Sequence, residues 1–132
     1  MKSVQTGDVY WAVLEPVRGS EQAGRRPVVV FQNPALSRFT TTALSIPLTT
    51  NTNWVGVPGT FFLKKGDGGL PEESVVLAFQ MRALDPVRLR KKIGKLSAEG
   101  VQGVSAAVLD ALGIEPKNDG AAGSRTGDRL GS

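Results

Sequence analysis

Helical periodicity in this chain begins only beyond residue 85; before it the sequence is a series of short β-type runs cut by proline and glycine. Asp8-Val9-Tyr10-Trp11-Ala12-Val13-Leu14 is rich in β-branched and aromatic residues and ends at Glu15-Pro16, which reads as a strand. Val28-Val29-Val30-Phe31-Gln32 is a continuous apolar run, the pattern of a buried strand, and Asn33-Pro34 breaks it. From Thr40 to Thr50, Leu44, Ile46 and Leu48 alternate with polar residues, giving a half-buried strand whose Pro47 predicts an edge position or a bulge. Trp54 to Val57 and Thr60 to Leu63 read as two short strands or one bent one, and Ser74 to Met81 as a further strand. Such a series predicts a mainly β fold with a C-terminal helix: a small open barrel of five to six short strands plus one or two helices.

The helical part has recognisable ends. Asp85-Pro86 supplies an N-cap and a proline at the first helical position, predicting a short helix over Val87 to Ile93. Ser97 caps a second helix in which Val101, Val104, Val108 and Leu112 recur at helical spacing, with Gly113 as its stop. Gly100 and Gly103 each weaken that helix by roughly 1 kcal/mol relative to alanine, so tertiary packing must hold it. Residues 115–132 contain a single large aliphatic, Leu130, and no aromatic, so they read as a flexible tail behind one domain of residues 1–114.

Composition removes whole classes of chemistry. The 132 residues include neither cysteine nor histidine, which excludes a disulfide framework, a thiol nucleophile, cysteine metal sites and every triad built on imidazole. Any catalysis must run on arginine, lysine, carboxylates, hydroxyls and amides, and no metal site or cofactor is expected. Sixteen Lys and Arg against twelve Asp and Glu give a net charge of +4. Arg82, Arg88, Arg90, Lys91, Lys92 and Lys95 face a single Asp85 within that stretch, which reads either as a solvated helix face or as a surface tracking phosphates. No run approaches the ~20 apolar residues of a membrane span, and the first residues lack a signal-peptide core, so a cytoplasmic protein with no membrane partner is expected.

The densest set of reactive groups precedes the apolar strand. Within Gly19-Ser20-Glu21-Gln22-Ala23-Gly24-Arg25-Arg26-Pro27 lie a hydroxyl, a carboxylate, a carboxamide and two guanidinium groups. Taken alone this is a solvated hairpin loop whose glycines satisfy positive φ, or a phosphate clamp in which proline stiffens the backbone beside Arg26. The wider pattern is more specific. Gly7-Asp8-Val9-Tyr10, then Gly19-Ser20-Glu21-Gln22 with Gly24 and Arg26-Pro27-Val28, then Thr49 closing an apolar strand, then Gln80-Met81-Arg82 before Leu84-Asp85 resembles the MazF/PemK family of toxin endoribonucleases. The resemblance runs over about residues 5 to 114 in family order, with Gly-Ser-Glu-Gln…Arg-Pro as its most specific part.

That resemblance implies an SH3-like barrel with a C-terminal helix, a homodimer, and metal-independent cleavage of single-stranded RNA at short sequences. It implies that Arg26 and Thr49 are the catalytic pair. Glu21 is the nearest carboxylate candidate for the base, and a family-style mechanism would give Arg26 part of that work. Ser20 and Gln22, with Gln80 and Arg82, would contact RNA, and an acidic antitoxin would neutralise the toxin. Ala83 departs from the threonine many relatives carry there, and Arg25 falls at a variable position. Trp11 reads as core or dimer interface, and Trp54 as core or as a base-stacking surface. A non-catalytic topoisomerase poison of the CcdB kind, or a plain RNA-binding barrel, are the competing readings; retention of Arg26, Thr49 and Glu21 favours the nuclease.

Overall fold

The computed structural model describes residues 4–14 and 24–115. Seven strands, β1 (Asp8–Val13), β2 (Arg25–Val30), β3 (Ala43–Thr49), β4 (Thr60–Leu63), β5 (Ser74–Leu77), β6 (Arg82–Leu84) and β7 (Leu89–Lys95), precede one helix, α1 (Ala98–Leu112). All the pairings are antiparallel. The strand order is β4-β5-β3-β2-β1-β7, with β6 added to the side of β3, so the sheet is open and ends on β4 and β7.

The inner strands carry apolar residues on both faces. Val9, Val29, Ile46 and Leu48 join Leu63, Val76 and Val104 in the cluster beneath α1, while Tyr10, Ala12, Val28, Val30, Ala43, Leu84 and Leu89 form a second cluster. A bent sheet with two buried faces explains why Val28 to Val30 reads as a continuous apolar run rather than an alternating one. Ser97 accepts from the Gly100 amide as N-cap, and Gly113, at φ 73°, closes the helix. Val101, Val104 and Val108 pack on the first cluster, but Leu112 is exposed. Gly103 is a packing residue: the Phe61 ring lies where its Cβ would be, 2.1 Å from an added carbon.

Four expectations are corrected. The basic stretch is not helical: a short 3-10 turn over Pro86–Arg88, capped by the Asp85 carboxylate on the Val87 amide, leads straight into β7. Trp54 to Val57 is not a strand but the end of a 3-10 turn and its continuation, and Ser74 to Met81 divides into β5, a 3-10 turn and a link to β6. Among the described residues these changes raise the strand count to seven and leave one α-helix. Pro47 lies in an interior strand, not at an edge. It stands opposite Val28, in the step between Ser45, where β6 pairing ends, and Leu48, where β5 pairing begins, so its missing N–H breaks no ladder bond. The tail beyond residue 115 lies outside the described residues. No described helix is long and apolar enough to cross a membrane.

β7 pairs with β1 through two register shifts and contributes cations at the sheet's open edge, which discourages pairing with another chain. Lys92 reaches 3.3 Å to Asp8 Oδ1, a carboxylate whose side chain is 2% exposed, while Asp8 Oδ2 accepts from the Gln5 amide. Burial raises the Tyr10 hydroxyl above its ordinary 10.0, with Asp8 adding to the shift and Lys92 opposing it. The folded chain therefore holds that proton more tightly than the unfolded chain, and stability falls as pH climbs above 10. Lys92→Met leaves Asp8 buried without its cation. Because Lys92 is half exposed, the expected loss is about 1–3 kcal/mol in urea unfolding at neutral pH, below that of a fully buried pair. Lys91→Met on the same strand should fall within about 0.5 kcal/mol of the parent.

Candidate active site

The parity of the ladders locates an opening in the sheet. Phe31 donates to the Leu44 carbonyl, and the β2–β3 register continues through Val29–Ile46 and Val28–Pro47. The next hydrogen-bonded pair would need residue 27 to donate to Leu48, and residue 27 is proline. On the other flank Leu14 donates to the Gly24 carbonyl, so in the β1–β2 ladder Trp11–Pro27 is a non-hydrogen-bonded pair and loses nothing. Pro27 therefore keeps β2 on β1 while ending its ladder with β3.

A cavity of about 470 Å³ opens where the two strands part, lined by Trp11, Arg25, Arg26, Pro27, Leu48, Thr49, Thr50 and Glu72. Arg26 stands opposite Ala12 in β1, which fixes its backbone, and its side chain is exposed. Continuing the β2–β3 register by two residues would bring Thr49 across from Arg26. Thr49 is held by β5 through Val75, and its Oγ1 accepts from the Asn51 amide at 3.1 Å, which leaves the hydroxyl hydrogen to be donated. Among the described lining residues Arg25 and Arg26 stand with one carboxylate, Glu72, so this part of the wall is net positive and suits an anion. Among the described residues, none of these three side chains is engaged in an ion pair.

The structure thus brings together Arg26 and Thr49, the pair expected to act together. Ser20, Glu21 and Gln22 lie outside the described residues. Gln80, exposed, ends a 3-10 turn that starts at buried Ala78, and Arg82 starts β6 opposite Ser45; neither lines the cavity. Ser45 is four residues from Thr49, about 13 Å along β3, so Arg82 belongs to a neighbouring stretch of surface. Trp11 lines the cavity, half-buried, instead of entering the core. Trp54 meets Phe79 in a tilted ring contact, with centroids 5.4 Å apart and planes at 38°. Glu72 and Thr50 are wall residues that sequence reasoning missed, since only the β3–β5 pairing brings the turn before Ser74 to the end of β3. Arg25 is a third, set aside in the sequence as variable. No group of three or more Asp, Glu, His or Cys side chains that could hold a metal ion forms among the described residues.

Residues 5–112 match the model of the PemK-like, MazF-like toxins of type II toxin–antitoxin systems. The chain belongs to that family. It is 37% identical over 111 residues to the endoribonuclease MazF of Staphylococcus saprophyticus, a match covering 84% of this chain and 92% of that protein. The crystal structure of MazF from Deinococcus radiodurans superposes with a TM-score of 0.66 at 27% identity, covering 86% of this chain and all of that one. A mycobacterial endoribonuclease in complex with its cognate antitoxin gives 0.70 at 23% identity over 87% of this chain and all of that one, a likeness of fold. Within this MazF-like fold the cavity follows from Pro27. Pro27→Ala restores the missing donor, and the residue 27 amide is then expected to exchange slowly with solvent; rapid exchange there would separate the strand opening from the proline.

Proposed function

We propose that this chain is a toxin endoribonuclease that cleaves single-stranded RNA at short sequences without a metal. The observation carrying this reading is that Arg26 and Thr49, far apart in sequence, line one cationic cavity. The ribose 2′-hydroxyl attacks the adjacent phosphorus as its proton passes to a base, the P–O5′ bond breaks, and the 5′-oxygen takes up a proton. The products are a 2′,3′-cyclic phosphate and a 5′-hydroxyl. Negative charge gathers on the phosphoryl oxygens in the transition state. The Arg26 guanidinium, permanently charged, and the Thr49 hydroxyl donate to those oxygens without needing a group that titrates near neutrality. Glu21 is the carboxylate assigned to accept the 2′ proton, with Ser20, Gln22, Gln80 and Arg82 holding the strand on either side.

The partners follow the family. An acidic antitoxin is the expected inhibitor, in keeping with the solved MazE–MazF complexes from Deinococcus radiodurans. A homodimer is the expected assembly, for which exposed Phe39, Val87, Leu112 and Ile114 offer apolar surface. The cytoplasm, where mRNA is found, is the expected site of action. Residues 1–114 are taken as the working domain, and a chain ending at residue 114 should fold and cut RNA as the full chain does.

The test is to incubate the purified protein with a long unstructured RNA in EDTA and map the ends. Discrete cuts leaving 5′-hydroxyl and cyclic phosphate ends are expected. Arg26→Ala should slow cutting by about 10²–10³-fold, the usual loss for one donor to a transition-state oxyanion, with the thermal unfolding midpoint unchanged. Cutting that a chelator abolishes and magnesium restores would overturn the metal-free mechanism. Intact RNA from folded protein would turn the assignment toward a topoisomerase-binding toxin or a non-cleaving RNA binder.

A further inference from the structure

Glu72 is the carboxylate in the lining of the Arg26–Thr49 cavity, and no step of the cleavage requires it. Its place is defined by the backbone around it. Pro71 restricts the chain on one side, the Ser74 hydroxyl donates to the Glu72 carbonyl on the other, and β5 is locked to β3 at Thr49–Val75. Among the described residues its side chain makes no hydrogen bond or ion pair.

The rest of the wall has the composition of a nucleotide site. Trp11 offers an aromatic surface for a base, Arg25 and Arg26 offer forked donors for phosphate, and Thr49 and Thr50 offer hydroxyls. The volume, about 470 Å³, falls in the range of small-ligand clefts. A carboxylate in such a site discriminates between bases, because it accepts and never donates. Guanine presents two adjacent donors, N1–H and the N2 amine, that match two oxygens. Cytosine and adenine present one amine beside a ring nitrogen that repels the second oxygen. Uracil presents one N–H flanked by two carbonyls.

We propose that Glu72 determines base specificity, selecting guanine in the nucleotide pocket formed with Trp11, Arg25 and Arg26. This rests on the RNA reading above, and binding separates the two. A short randomised pool of 2′-O-methyl RNA, which cannot be cleaved, is selected on the wild-type chain, on Glu72→Gln and on Glu72→Ala, and sequenced. The wild type should enrich guanine at one position, and replacing that guanine by inosine, which lacks the N2 amine, should weaken binding by about tenfold. Both variants should lose the enrichment and bind the guanine and inosine oligomers alike. Glu72→Gln keeps the shape of the side chain, so a loss in that variant reports the acceptor and not packing. Wild-type selection without guanine, or an unchanged guanine-to-inosine ratio in both variants, overturns the role of Glu72 and leaves the nuclease standing if natural RNA is still cut. RNA that is neither bound nor cut by folded wild-type protein overturns both.

Discussion

One missing hydrogen opens the site. A sheet with two buried faces tends to continue its ladders, since each further pair hides more backbone and more apolar surface. Between β2 and β3 that tendency stops at Val28–Pro47, because the next bond would need an N–H that Pro27 lacks. The strands part, and the residues at their ends, Arg25 and Arg26 on one and Thr49 on the other, face a shared cavity instead of a shared ladder. The same proline occupies a non-hydrogen-bonded position against Trp11, so Arg26 stays anchored to β1 while its other flank is open. A loop arginine would lose side-chain and backbone entropy on binding phosphate; one fixed by a strand has already lost part of it.

The basic character of the chain has more than one origin, and net charge alone does not separate them. Lys92 neutralises the buried Asp8, and Lys95 donates to the Gln5 side chain, so these two cations are committed to holding the N-terminal segment against β7. Arg88 donates to the Val13 carbonyl and fastens the start of β7 to the end of β1. Arg25 and Arg26, by contrast, lie on the cavity wall. The described cations that line the cavity are therefore these two, and none comes from the dense run of charge that stands out in the sequence.

That division also explains what could be read from the chain and what could not. The apolar runs of β1, β2 and β3 and the capped, valine-striped helix are local signals, and they mark the elements to within a few residues. β7 carries no such signal. Its pairing with β1 contains two register shifts, so Leu89, Arg90, Lys91 and Lys92 do not alternate, and residues of good helix propensity behind an Asp-Pro cap read as a helix. What makes them a strand is the open edge of β1, a partner some eighty residues away. The site divides in the same manner. Arg26 and Thr49 were legible because they belong to a recognisable pattern, whereas Glu72 sits in a turn-rich connection that looks featureless until β5 pairs with β3.

The helix shows tertiary contact overriding a local preference. Gly103 weakens α1 as an isolated helix, yet it is the position at which the Phe61 ring approaches closely enough to exclude a side chain. β4 is the outer strand at this end of the sheet, and its contact with α1 is the main support for that edge beyond its pairing with β5. A glycine-to-alanine change that would stabilise a solvent-facing helix by about 1 kcal/mol would here displace Phe61 from the helix–sheet contact. β5, which pairs with Thr49 and follows the turn bearing Glu72, is the strand next to that edge. The helix thus reaches the cavity indirectly: Gly103 admits Phe61, Phe61 seats β4, and β4 holds β5 where Thr49 and Glu72 can face the two arginines.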